Sequence, residues 1–162
     1  MSNKRTEIIA AAGQQDFQIS REFAATPENV FRAFTEPDLL QLWFMPEEMA
    51  MHIESMECKT GGSFHHTHSH ANGMKFGFRG VYHEVEAPHQ IIKTSEFFGL
   101  PHKMPPVLET TRFESTESGA TKVIIHTLCP SVEYRDALIK NGMEQHLQLT
   151  HKLLDNLLPD IS

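Results

Sequence analysis

Between Met51 and Pro130 the chain is cut into short runs by turn signals at Gly61-Gly62, Ala71-Asn72-Gly73, Ala87-Pro88 and Ser118-Gly119. The runs near 51–58, 63–70, 75–86, 90–98, 107–116 and 120–129 are rich in β-branched and aromatic residues. Such residues suit a pleated, half-buried surface, and the runs read as six strands of an antiparallel meander. Gly99 to Pro106 carries Pro101, Pro105 and Pro106, which cannot donate to a ladder, so this stretch is predicted to loop at one rim.

The flanks add the remaining elements. Phe17, Ile19 and Phe23 alternate with Gln18, Ser20 and Glu22, the period of a strand with one buried face, and Arg21 breaks the pattern. Thr26-Pro27-Glu28 opens a helix by capping, fixed φ and a favourable charge at its positive end, with Val30, Phe31 and Phe34 as the apolar stripe. Glu36-Pro37-Asp38 opens a second, short helix that Pro46 stops. From Glu133 to Leu158, Ile139, Met143, Leu147, Leu154 and Leu158 recur at helical spacing, widened by Leu138, Leu153 and Leu157, and predict one long amphipathic helix. The expected fold is α+β: a curved antiparallel sheet of about seven strands around a long C-terminal helix, with two short helices after the first strand. A strongly curved sheet cannot lie flush on a straight helix, so a cavity between them is expected.

At 162 residues the chain is long enough for one domain with its own core, read as 1–162 with an N-terminal extension over 1–13. Asp plus Glu outnumber Lys plus Arg by 21 to 14, and the formal charge of −7 argues against a phosphate-backbone binder, so no nucleic-acid partner is expected. No apolar run reaches the roughly 20 residues of a membrane span and no signal peptide is seen, so a soluble, cytoplasmic protein is expected. Cys58 and Cys129 are read as small buried hydrophobes without a disulfide. Eleven histidines would move the charge from −7 to +4 on full protonation, which makes charge sign a function of pH.

Several stretches together resemble a known pattern. Gln18 to Phe34, Thr35-Glu36-Pro37, Trp43-Phe44-Met45-Pro46, Gly61-Gly62, Gly80 to Val85 with Pro88, and Gly119-Ala120-Thr121 are similar to the heat-shock-chaperone ATPase activator-like family of START-related, helix-grip (SRPBCC) domains. Tyr134-Arg135-Asp136-Ala137 and Gly142-Met143-Glu144 resemble a bacterial subgroup of it. The resemblance implies a helix-grip fold around one cavity, in a superfamily that includes lipid and sterol carriers, hormone receptors, cyclases and an antibiotic-resistance protein. Fold alone therefore names no activity.

The candidate site residues come from the strand period and from that resemblance. His66, His68 and His70 share one side of a strand with Phe64, and the resemblance suggests that His66 and His68 replace cavity-lining hydrophobes. Neighbouring pairs are candidate ligands for zinc or another transition metal, completed by His126, His146 or a carboxylate, although three same-face positions span about 13 Å and do not readily bind one ion. The alternative is a set of half-exposed, hydrogen-bonding histidines near a hairpin end. His146 is a candidate for orienting a ligand or acting as a base, or else a residue at the edge of the helix stripe. Arg21, if it faces inward, needs a carboxylate from the protein or from an acidic ligand. Trp43, Phe44, Phe64, Phe78, Tyr82, Phe97, Phe98 and Met143 are the aromatic and soft residues expected near the grip; Trp43, Phe64, Phe78, Tyr82, Phe97 and Met143 join Arg21, His66, His68 and His146 as the ligand-binding set.

The leading function is binding of a small hydrophobic or aromatic molecule in the cavity, with no cofactor required. A cavity enzyme of cyclase or hydrolase type using histidines, with or without a metal, is the second reading, and a chaperone- or self-interaction module the third. A homodimer is a candidate assembly, since twofold pairs are the commonest.

Overall fold

The computed structural model describes residues 5–101 and 103–162; His102, within the predicted rim loop, lies outside the described residues. Eight strands form a single antiparallel sheet: β1 (Glu7–Ile9), β2 (Asp16–Phe23), β3 (Met49–Met56), β4 (Ser63–His70), β5 (Lys75–Glu86), β6 (Gln90–Phe98), β7 (Val107–Ser115) and β8 (Thr121–Leu128). Their spatial order is β1-β2-β8-β7-β6-β5-β4-β3. The six-strand meander is thus present from β3 to β8, and β2 closes onto β8. The sheet has one strand more than the alternation indicated. β1 is only three residues long, too short for a period to register, and it occupies part of the expected extension by pairing Ile8 with Ile19.

Helix α1 (Pro27–Thr35) begins as its sequence dictates, with the Thr26 hydroxyl accepting a hydrogen bond from the Asn29 amide at 3.3 Å. α2 (Pro37–Leu40) follows at once and delivers Trp43, whose indole N–H donates to the Ala33 carbonyl at 2.9 Å. Phe23, Val30, Phe31, Leu40, Trp43, Phe113, Leu154 and Leu158 form the main core between α1, the sheet and the end of the chain. Phe17, Ile19 and Cys129 anchor a second cluster with Tyr134, Leu138, Met143 and Leu147.

The expected long C-terminal helix is present and carries a kink that its stripe does not announce: α3 (Val132–Leu138) and α4 (Glu144–Leu157) flank Ile139–Met143, where Asn141 has ψ 40° and Gly142 has φ 86°. The apolar stripe runs through the kink, so periodicity alone does not register it, while glycine supplies the left-handed conformation that breaks the ladder. α3 is held against the sheet by buried Arg135, which donates to the carbonyls of Ala11 at 2.7 Å and Asp16 at 3.0 Å.

Two bulges, at Ile53/Ser55 and Tyr82/Glu84, interrupt the ladders and bend the strands so that one face of the sheet curves toward α4. Gly80 lets the Phe64 ring lie over β5, because a side-chain carbon there would collide with the Thr94 carbonyl and approach the Phe64 ring at 2.8 Å.

Replacing Gly142 by alanine should destabilise the protein by about 1 kcal/mol, since the added carbon meets open space but the backbone is strained. Thermal unfolding should show a fall of roughly 2–4 °C.

Candidate functional site

The inward face of the sheet is set by parity and register. Phe64, His66 and His68 of β4 are buried, and His66 stands opposite Phe78 of β5, which stands opposite Phe97 of β6. His68 stands opposite Phe76. The rings make a continuous aromatic wall: His66 to Phe78 at 5.6 Å, Phe78 to Phe97 at 5.2 Å and His68 to Phe76 at 5.3 Å between centroids. Phe44, from the segment after α2, lies across this wall, stacked on His68 at 5.8 Å and edge-on to His66 at 5.3 Å. Phe44, Phe76, Phe78 and Phe97 are only half-buried, although they face inward.

His66 and His68 bond to each other, Nδ1 of His66 to Nε2 of His68 at 2.8 Å. His68 is fully buried, and its own Nδ1 has no hydrogen-bond partner. Burial holds both imidazoles neutral: His66 is lowered from 6.5 to about 3 by desolvation, then by repulsion from His68 and Lys93, and His68 to about 4 by desolvation and then by His146. His146, on α4 one turn past the kink, is exposed to solvent.

The inward charges are paired. Arg21 donates to both carboxylate oxygens of Asp155 on α4 at 2.6 Å each and lies over the Phe23 ring at 4.6 Å. Its partner is thus a protein carboxylate, and its terminal nitrogens are engaged without a ligand. Lys93 pairs with Glu109 at 3.5 Å and stands 5.0 Å from the centre of the Phe64 ring. Behind Arg21, the His151 ring contacts Phe23 edge-on at 5.4 Å and its Nδ1 bonds the Thr6 hydroxyl at 2.8 Å. Tyr82 is buried against Phe64, and burial pushes its phenol and the nearby Cys58 thiol upward.

The sequence-derived set therefore divides. Phe64, His66, His68, Phe78, Tyr82 and Phe97 share the concave face, whereas Met143 is half-buried against the Phe17, Ile19 and Cys129 cluster and His146 is exposed. Trp43 is a core residue that supports Phe44 rather than lining the space, and the two rings are 6.2 Å apart. His70 does not join His66 and His68; it sits at the hairpin end, where its Nδ1 accepts from the Asn72 amide at 3.1 Å. Among the described residues, no group of three or more His, Cys, Asp or Glu side chains converges on a metal position. Phe76, Lys93, Glu109, His151 and Asp155 complete the face. The strand parity of Phe76 with Phe78, and the helical spacing of Leu147, His151, Leu154 and Asp155, carry signals for three of these.

A separate hollow of about 670 Å³ lies between the start of α1 and the β5–β6 turn, near Pro27, Pro88 and Arg112. It contains no unpartnered buried polar side chain, and the concave face is the stronger candidate.

Residues 24–158 match the family model described as Activator of Hsp90 ATPase homolog 1-like protein. The chain belongs to this family. A crystal structure from Rhodobacter sphaeroides is similar to this Hsp90-activator-like chain at 26% identity, covering 96% of it and 99% of the other protein, with a TM-score of 0.85. Protein Ms6760 from Mycobacterium smegmatis shares the fold at 18% identity, 94% and 96% coverage and a TM-score of 0.83. DynU16, a protein in the dynemicin biosynthetic locus, shares it at 18% identity and a TM-score of 0.67, with 92% of this chain covering 50% of that one. A search of curated proteins finds no match. Among the described residues of this family member, no helix is long and apolar enough to cross a membrane.

Two predictions follow from the buried polar groups. Arg21→Met leaves Asp155 unpaired and should cost about 3 kcal/mol in urea unfolding, whereas Arg21→Met combined with Asp155→Leu should cost less than Arg21→Met alone. The second concerns pH. Above 6.5 the His66, His68 and His151 rings are neutral folded or unfolded; between 6.5 and about 4 the unfolded chain takes protons that the folded one refuses. Stability should therefore fall as pH drops through that window, by up to about 1.4 kcal/mol per pH unit for each ring, measured as urea midpoints from pH 7.5 to 4.5.

Proposed function

We propose that this protein binds a small hydrophobic or aromatic molecule between the concave sheet face and α4. Domains of this fold commonly bind hydrophobic ligands, and the observation that carries the reading here is local. Phe44, Phe76, Phe78 and Phe97 face inward yet remain half-buried, so the apolar wall is not filled by the protein's own side chains. Half-exposed aromatic rings gathered on a concave surface gain about 25 cal/mol for each Å² that a guest removes from water.

Binding of this kind needs no cofactor and no covalent step. Lys93 and Glu109, each about a quarter exposed on the same face, keep part of the cleft hydrated and favour a guest with one polar end. Native mass spectrometry of untagged protein should reveal a retained apolar compound near one per chain, and Phe97→Ala should weaken binding of the neutral probe 2-methylnaphthalene about tenfold by removing one ring of the wall. Protein that takes up no neutral aromatic probe and retains only a transition metal would overturn this reading.

A further inference from the structure

The histidine pair sets the chemistry of the guest beyond its being apolar. Nδ1 of His66 and Nε2 of His68 face each other at 2.8 Å, so one nitrogen carries a proton and the other offers a lone pair. If His66 donates, His68 must carry its one ring proton on Nδ1; if His68 donates from Nε2, its Nδ1 is a bare acceptor. That Nδ1 is the atom left without a partner. The pair thus presents a hydrogen-bonding position at His68 that switches between donor and acceptor when both protons shift, with no net charge in either form.

The surroundings show that this position is part of the binding wall. His68 is sandwiched between Phe76 at 24° and Phe44 at 27°, and the Phe78 ring stands edge-on to it at 5.8 Å. Phe44, half-buried like Phe76 and Phe78, is the member of this box carried on a short segment after α2 rather than on the sheet. Because Phe44 is not tied into the sheet ladder, we take displacement of its ring as the route by which a guest reaches the unpartnered nitrogen. A buried polar atom without a partner is costly, so a guest that supplies one recovers what the free protein forgoes.

The charges of the face select the guest further. Arg21 is matched by Asp155 and Lys93 by Glu109, so a carboxylate placed beside His68 would find no unmatched cation among these inward groups and would lose its hydration. We infer that the His66–His68 pair is the polar anchor of the cleft, receiving the hydroxyl or carbonyl group of an uncharged aromatic or hydrophobic molecule. The inference rests on the binding reading above and adds the functional group that the guest must carry. Because the free nitrogen can either donate or accept, hydroxyl and carbonyl guests are both accepted.

The test is a matched series of probes, 2-naphthol, 2-acetonaphthone, 2-methylnaphthalene and 2-naphthoate, titrated by calorimetry at pH 7.5 into the wild-type chain and His68→Phe. In the wild type, 2-naphthol and 2-acetonaphthone should bind about tenfold more tightly than 2-methylnaphthalene, the equivalent of one hydrogen bond, and 2-naphthoate should bind most weakly. His68→Phe should shrink the tenfold preference for 2-naphthol and 2-acetonaphthone over 2-methylnaphthalene to within about twofold, whatever the variant's own affinity for 2-methylnaphthalene. Nitrogen-15 spectra of the wild-type imidazoles provide a readout independent of that variant's folding: saturation with 2-naphthol should shift the His68 Nδ1 resonance, and saturation with 2-methylnaphthalene should not. Equal affinities for 2-naphthol and 2-methylnaphthalene, tightest binding of 2-naphthoate, or an unmoved Nδ1 resonance would overturn the anchor while leaving the cleft reading intact. Failure of all four probes to bind would overturn both.

Discussion

The contact on which the architecture turns is the bidentate pair between Arg21 on β2 and Asp155 on α4. A curved sheet has to be covered, yet here the cover is a helical segment broken at Gly142, and α4 has to be held in place independently of α3. A planar guanidinium that meets both carboxylate oxygens fixes orientation as well as distance, which a purely apolar contact would not. His151 and Thr6 extend the same attachment to the N-terminal edge, where the hydroxyl and imidazole bond at 2.8 Å beneath the Phe23 ring. The helix is thereby pinned at its C-terminal half, with Leu154 and Leu158 in the core.

The concave face combines two requirements that ordinarily exclude each other. Aromatic rings supply apolar area, and they surround imidazoles that must stay neutral to be there at all. The desolvation that lowers His66 to about 3 and His68 to about 4 removes charge from the wall while leaving hydrogen-bonding capacity in it. Lys93 with Glu109 and Arg21 with Asp155 cancel the remaining inward charge in pairs. The face is therefore polar without a free ionic group among these residues, an arrangement suited to reading a functional group rather than attracting a counter-ion. Membership of the Hsp90-activator-like family accounts for the frame.

Much of the frame is legible in the sequence because strand period, turn residues and helix caps are local. Gly61-Gly62, Asn72-Gly73 and Ser118-Gly119 mark strand ends that the structure keeps, and Thr26-Pro27 starts α1 where it stands. The break at Asn141-Gly142 was written in the residues but masked by a stripe that continued across it. β1 was invisible because three residues carry no period and its partner supplies the ladder. The site was half legible: parity placed Phe64, His66 and His68 on one face, but parity cannot say whether two histidines meet a metal, a guest or each other.

What the sequence determined alone was the set of elements and the faces they bury, since these follow from neighbours a few positions apart. The fold decided which distant groups share a dielectric. Arg21 finds Asp155 at a separation of 134 residues, and Phe44 reaches His66 and His68 only because α1 and α2 place it across β4. Charge pairing and desolvation depend on proximity in space, and no spacing along the chain encodes it until the sheet has curved and the helix has closed over it.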